Sequence, residues 1–167
     1  MFSIKEFFKK PKPSLDETYE KKFKNIFNRK NIKILKALIK EKNKQRLKSG
    51  FYIGRKLVDT RIKMNLYETW IDIVIPNHRR SISNTYQNLA SPERAHLYQD
   101  RGDLRCEIIS EKKILIETCI YDNKNHTNFK KKQFSTNKPD LILKYVVNQI
   151  KKIEKEGYGS NYKNKKK

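Results

Sequence analysis

The sequence predicts an α+β fold built on an antiparallel sheet of about four to five strands, within residues 51–134. An N-terminal helical segment (15–48) and a C-terminal helix (140–155) are expected to pack with this sheet. Three observations predict the arrangement. Apolar residues recur every three or four positions towards both ends of the chain, they alternate with polar residues in the middle, and no segment repeats.

The chain of 167 residues is long enough for one domain with extensions. We place a single α+β domain at 14–156. A flexible basic segment (1–13) is expected before it and a disordered basic tail (157–167) after it, because both are rich in lysine.

The first helix is predicted to begin after Pro11 and Pro13. Ser14 and Glu17 have the spacing of a capping box, in which the hydroxyl and the carboxylate each accept a backbone N–H at the helix start. Apolar residues then recur at helical spacing from Leu15 to Ile39. The asparagines at positions 28 and 31 predict a break into two helices.

The middle of the chain is predicted to form strands. Residues 51–58 are prone to β structure, and 67–75 give the strongest strand signal of the chain. Within that second run, Ile71, Ile73 and Ile75 share one face. This alternation is typical of a half-buried antiparallel strand.

The segment that follows is less regular. Residues 77–90 are polar, and 92–99 have the features of a short helix that Gly102 ends. Two apolar runs, 104–110 and 114–121, are then separated by three polar residues, which predicts a hairpin.

Two final elements are expected. A looser strand is predicted around 129–134, and a closing helix is predicted to begin at Asp140, after Pro139. The apolar stripe of this helix continues to about residue 154, where Gly157 follows as its cap.

The positive charge is confined to the two ends of the chain. Of the net charge of +22, residues 1–48 contribute +11, residues 49–122 contribute +1 and residues 123–167 contribute +10. Self-repulsion of this size weakens a compact state. A balanced centre between two basic flanks therefore predicts a folded platform that presents cations to a polyanion.

Membrane and secreted proteins are not expected. No run approaches the roughly 18–20 apolar residues of a membrane span, and the first residues lack the pattern of a secretory signal. Cys106 and Cys119 lie inside apolar runs without ligand spacing, which predicts buried free thiols in a reducing compartment. We expect a protein of the cytoplasm, the nucleus or a virion.

The main candidates for nucleic-acid binding form a basic face on the N-terminal helical segment, where lysines can follow a row of phosphates. These residues are Lys21, Lys22, Lys24, Arg29, Lys30, Lys33, Lys36 and Lys40. Arg79 and Arg80 form a second group, in a polar loop with no acid near them in sequence. The third group is the tail cluster Lys165, Lys166 and Lys167.

Aromatic rings add a fourth group of candidates. Phe129 and Phe134 flank the three consecutive lysines Lys130, Lys131 and Lys132. Bases stack on aromatic rings while ammonium groups hold the backbone, so this pattern favours single-stranded nucleic acid. The alternative is that both rings cover the core from an edge strand.

The start of the chain predicts membrane or partner docking through Phe2, Ile4, Phe7 and Phe8. Such rings can lie in a membrane interface while neighbouring lysines contact anionic headgroups. The pattern favours a simpler alternative, a turn that packs on its own domain.

The sequence predicts no enzyme, metal site or cofactor. It has no glycine-rich phosphate loop, and no serine or cysteine lies in an activating motif. The enzymatic alternative is a metal-dependent nuclease centre made of Asp103, Glu107 and either Lys112 or Lys113. The acid-x-lysine pairing of such centres is missing, and these acids can instead balance nearby arginines.

These observations favour a non-enzymatic protein that binds RNA or DNA largely through phosphates, encoded by a virus, a phage or a mobile element. Part of the chain also resembles rhabdovirus matrix proteins. The shared features are a basic start dotted with hydrophobic residues (1–12), a strand led by Tyr67 and Glu68, and a late strand that ends at 120–122. The resemblance implies an adaptor between a nucleocapsid and an anionic membrane, although the proline-tyrosine budding motifs of that family are missing.

Overall fold

The α+β prediction is confirmed. The computed structural model describes residues 14–44, 46, 51–53, 56–58, 61–76, 102–122 and 126–156. The helices in these ranges are α1 (Leu15–Ile26), α2 (Arg29–Lys44) and α3 (Pro139–Glu156). The strands are β1 (Phe51–Ile53), β2 (Lys56–Val58), β3 (Lys63–Leu66), β4 (Trp70–Ile75), β5 (Gly102–Ser110), β6 (Lys113–Asp122) and β7 (His126–Ser135).

The predicted start of α1 and the predicted break before α2 are both confirmed. The Ser14 hydroxyl accepts the backbone N–H of Glu17, and the Glu17 carboxylate accepts that of Ser14. At the break, the Asn28 side chain accepts the N–H of Asn31 at 2.9 Å. The buried Asn31 amide donates to the carbonyl of Ile26 at 2.7 Å, which holds the two helices at a fixed corner.

The main sheet has the order β3-β4-β5-β6-β7, and each neighbouring pair is antiparallel. Ile71, Ile73 and Ile75 are fully buried on one face of β4, as their alternation predicts. That face meets the apolar sides of the helices, and burial of this surface drives folding. Core residues from the helices include Ile26, Leu35, Ile142, Val146, Ile150 and Ile153.

Two strand predictions need correction. Residues 51–58 do not join the main sheet, because β1 and β2 pair with each other as a separate two-stranded hairpin. The strand predicted at 67–75 starts only at Trp70, since the Tyr67 N–H donates to the Trp70 carbonyl at 2.9 Å across a tight turn. The preceding strand, β3, was not predicted. It is only four residues long and three of its side chains are exposed, although polar and apolar residues alternate along it.

The helix that Gly102 was expected to end lies outside the described residues, and Gly102 itself is the first residue of β5. A Cβ atom there would collide with the carbonyl oxygen of Cys119 and would lie 2.9 Å from Cγ2 of Ile153. Glycine is therefore required by the close approach of β6 and α3. The predicted β5–β6 hairpin is confirmed, and β7 and α3 are both longer than predicted.

Arg46 joins the ends of three elements. Its buried guanidinium donates to the carbonyl of Pro76 at 2.8 Å, after β4, and forms an ion pair with Glu154 of α3. Nearby, the Asn43 side chain of α2 exchanges two hydrogen bonds with the backbone of Ile62, just before β3. The end of α2 therefore lies beside the β3 edge of the sheet.

Several predictions fall outside the described residues. These are the basic segment at 1–13, the irregular run at 77–90, the short helix at 92–99 and the tail at 157–167. Across the described part of the chain, no helix combines the length and apolarity needed to cross a bilayer.

Candidate nucleic-acid interface

The charge of the N-terminal helical segment is concentrated in α2. This helix contains seven Lys and Arg residues and one acid, Glu41, a net charge of +6. The neighbouring helix α1 contains three lysines and three acids, so its net charge is zero. The basic face predicted over both helices is therefore mainly a property of α2.

The exposed side of α2 carries a continuous row of cations. Asn31, Leu35 and Ile39 face the core, and the row lies largely on the opposite side. From the helical repeat, its members fall within about 80° of arc and extend over about 22 Å. We call this set the α2 cation row: Arg29, Lys33, Lys36, Lys40 and Lys44.

The α2 cation row is not neutralised within the described part of the protein. No ion pair between described residues involves any of its members, whereas Lys24 of α1 pairs with Glu20 one turn earlier. The first turn of α2 has no acid and instead contains Arg29 and Lys30. The helix macrodipole disfavours cations at this end.

A second set of lysines, missed in the sequence, lies on α3. Lys144, Lys151 and Lys155 are exposed, and their spacing places them on one side of the helix. Because α2 packs against α3, the two sets occupy neighbouring helices. Their spacing of four and seven residues, readable in the sequence, is the signal that identifies this set.

The two phenylalanines of β7 occupy different environments. Phe129 is 57 % exposed, whereas Phe134 is only 8 % exposed and packs on the ring of Tyr145 at 4.9 Å between centroids. Phe134 thus covers the core and is not accessible to a base. Only Phe129 keeps the exposure that stacking requires.

The lysines of β7 have partners inside the protein. Lys131 forms a 3.0 Å ion pair with Glu117 on the adjacent strand. The Lys132 ammonium lies 5.1 Å from the ring centre of Phe134 and 5.0 Å from that of Tyr145, which is cation–π geometry. Lysines also protect an edge strand from pairing with another chain, so β7 has a structural reason for its charge.

The α2 cation row and the lysines of β7 do not form one continuous surface. β7 forms one edge of the main sheet and β3 forms the other, about 19 Å away at the usual strand spacing. The α2 helix ends beside the β3 edge. Phe129 is five positions from the core-facing Phe134, so it lies on the sheet face opposite the helices. A ligand on the α2 cation row would therefore need to pass around an edge of the sheet to reach it.

The remaining candidates are placed as follows. Lys21 and Lys24 of α1 are exposed, and Lys22 is half-buried. The candidates outside the described residues are Arg79, Arg80, Lys165, Lys166, Lys167, Phe2, Ile4, Phe7 and Phe8.

The acids considered for a nuclease centre lie apart. Asp103 and Glu107 share a face of β5, but four residues of strand separate their Cα atoms by about 13 Å. This is too far for both carboxylates to bind one metal ion directly. Glu107 lies 3.6 Å from Arg105, and across the described residues no three metal-ligating side chains form a group.

Charges alternate across the sheet face opposite the helices. The register places Asp72 beside Arg105, Arg105 beside Glu117, and Glu117 beside Lys131. Partial burial raises the pKa of Asp72, Arg105 opposes that shift and Asp103 adds to it. This row is balanced, so it offers a polyanion little net attraction.

Cys106 and Cys119 are buried free thiols, as predicted. Burial, with a smaller contribution from Asp72, raises the pKa of Cys106 well above its usual value. This thiol stays neutral at physiological pH and packs as an apolar side chain.

No known protein family, curated protein or solved structure matches this chain.

Proposed function

We propose that the protein binds RNA or DNA without catalysing a reaction, and that it does so mainly through backbone phosphates on the α2 cation row. One observation carries the proposal. Five cations lie along one exposed side of a helix, and no described acid pairs with them. Phosphates bound along such a row release their counterions, which supplies most of the affinity.

The placement of charge at the start of α2 supports an anionic ligand. Arg29 and Lys30 lie in the first turn of α2, where the helix dipole disfavours cations. The first turn of α1 instead contains the acids Asp16 and Glu17, which the dipole favours. A bound phosphate would reverse this cost, because it interacts favourably with both the dipole and the cations.

The residue types favour contacts that tolerate many sequences. Four of the five members of the row are lysines, whose ammonium groups act as point charges on flexible stems. Recognition of base edges more often uses the planar fork of arginine or an amide. We therefore place the main contacts on phosphates and not on a particular sequence.

The first test is the salt dependence of binding. Fluorescence anisotropy with labelled single- and double-stranded RNA and DNA, over a series of salt concentrations, gives the slope of log affinity against log salt. Lys36→Gln with Lys40→Gln should reduce the slope by about 2, since each phosphate contact contributes about 1. Glutamine keeps the helix propensity close to that of lysine.

A matched control changes the same charge elsewhere. Lys112 and Lys113 are exposed at the β5–β6 turn, and changing both to Gln should leave the slope nearly unchanged. An affinity that does not change with salt concentration would contradict the proposal. So would a protein that binds anionic phospholipid vesicles and none of the four polynucleotides.

A further inference from the structure

An aromatic cleft of about 640 Å³ lies between α1 and the β3–β4 turn. Phe23 and Phe27 are buried side chains of its lining, with ring centroids 4.9 Å apart. Tyr67 and Trp70, from the turn, also line it. The volume falls within the range of small-molecule sites in proteins, about 300–1,000 Å³.

The aromatic pair of the turn is held in a fixed stack. The rings of Tyr67 and Trp70 are nearly parallel, with centroids 3.7 Å apart and an interplanar angle of 12°. The guanidinium of Arg105 lies 4.2 Å from the centre of the Trp70 ring and adds a cation–π contact. Tyr67 remains 46 % exposed, so the stack ends in an accessible aromatic residue.

The charged residues of the cleft do not suit a phosphate. Glu20 and Glu68 both line it, together with Lys24, which pairs with Glu20. Carboxylates repel phosphate oxygens, but they accept hydrogen bonds from the exocyclic amines of bases. Aromatic rings and carboxylate acceptors together match a nucleobase more closely than they match a phosphate or an aliphatic ligand.

The cleft lies next to the start of the α2 cation row. Phe27 lines the cleft, and Arg29 is the first member of the row. Two residues of chain span at most about 7 Å, so the Cα atoms of Phe27 and Arg29 are near neighbours. A strand whose phosphates follow the row would place its terminal nucleotides at the cleft.

We propose that the cleft holds an unpaired base of the strand bound on the α2 cation row. The base stacks on Tyr67, and its exocyclic amine donates a hydrogen bond to the carboxylate of Glu68 or Glu20. The inference rests on the proposed function and adds a substrate class to it. Bases inside a duplex cannot enter, so single strands are preferred. Adenine, cytosine and guanine carry exocyclic amines, so they are favoured over uracil and thymine.

The single tryptophan of the chain is Trp70, so intrinsic fluorescence reports on this cleft. A short single-stranded oligodeoxyadenylate and an abasic oligomer of equal length present the same number of phosphates. Fluorescence anisotropy should show that both oligomers bind, but only the adenine oligomer should change the fluorescence of Trp70. Tyr67→Ala should lower the affinity for the adenine oligomer about tenfold and leave the affinity for the abasic oligomer unchanged. Tyr67→Phe should bind both oligomers like the wild type.

The outcomes separate this inference from the proposed function. If both oligomers bind equally and neither changes the fluorescence, the base site is wrong and phosphate binding stands. If Tyr67→Ala weakens the two oligomers equally, the base site is also wrong. If neither oligomer binds at low salt, the inference is wrong, and the proposed function fails with it only if none of the four polynucleotides binds either.

Discussion

Helices α1 and α2 are neighbours with similar buried faces and very different exposed faces. Both present apolar residues to the same core. In α1 two of the three acids occupy the first turn, Lys24 occupies the last turn, and Lys24 pairs with the third acid, Glu20. In α2 the first turn has no acid, and cations continue along the whole helix.

The comparison separates two roles of sequence. The apolar stripe determines where a helix packs, and α1 and α2 both have such a stripe against the core. The exposed charges of α1 follow the rules that stabilise a helix. In α2, Arg29 and Lys30 oppose the dipole, and the cations of the row repel one another at spacings of three and four residues, although Lys44 in the last turn agrees with the dipole. A pattern that opposes stability is expected where the residues serve a ligand.

The largest expected effect comes from reversing the charge of α2. Changing Lys33, Lys36 and Lys40 together to Glu should weaken binding to a single-stranded oligonucleotide by more than about a hundredfold. Three lost attractions of about 1 kcal/mol each already give that factor, and repulsion adds to it. Anisotropy at low salt measures the affinity.

Glutamate is a good helix former, so this variant should keep its fold, which circular dichroism can check. A folded triple variant that binds within about threefold of the wild type would contradict the account, since three of the five cations of the row are reversed.

A smaller effect is expected from β7. Changing Lys130, Lys131 and Lys132 to Gln should weaken binding by no more than about tenfold, because Lys131 and Lys132 already have partners inside the protein. The same variant should lose about 1 kcal/mol of stability, from an ion pair and a cation–π contact.

Urea unfolding and anisotropy on the same β7 sample test both statements. A β7 variant of undiminished stability that binds a hundredfold more weakly would reverse the roles assigned to the two basic regions.

The smallest effect concerns stability and differs in sign between the helices. Changing Lys33, Lys36 and Lys40 to Gln removes like-charge neighbours, so it should stabilise the protein by about 0.5–1 kcal/mol at low salt. Lys24→Gln breaks the pair with Glu20 and should destabilise the protein by about 0.3–0.5 kcal/mol.

Denaturant unfolding at low and high salt checks the sign. The stabilisation of the α2 variant should shrink as salt screens the repulsion. An α2 variant that is less stable than the wild type would show that these lysines support the fold.

Local sequence signals predicted the features that depend on near neighbours. The capping box of Ser14 and Glu17 and the break at Asn28 involve residues three positions apart, and both are confirmed. The alternation in β4 is also confirmed, and it too depends on near neighbours, since Ile71, Ile73 and Ile75 are two positions apart. The β3 edge strand also alternates polar and apolar residues, but four residues give too short a signal, and it was missed.

Features that depend on distant contacts could not be predicted. Arg46 falls within the helical segment predicted at 15–48, but its partner Glu154 lies more than a hundred positions later in the chain. The requirement for glycine at position 102 comes from the approach of Ile153, which nothing local in the sequence indicates. The aromatic cleft likewise joins α1 to a turn that contains no glycine, proline or asparagine.

The central claim is that the arrangement of cations on α2, beyond the net charge, determines binding. Two variants remove the same charge from neighbouring helices: Lys33, Lys36 and Lys40 to Gln, or Lys21, Lys22 and Lys24 to Gln. Their affinities for one single-stranded oligonucleotide at one low salt concentration give the most direct test. The account predicts binding about tenfold weaker or more for the α2 variant than for the α1 variant. Equal losses in the two variants would contradict it.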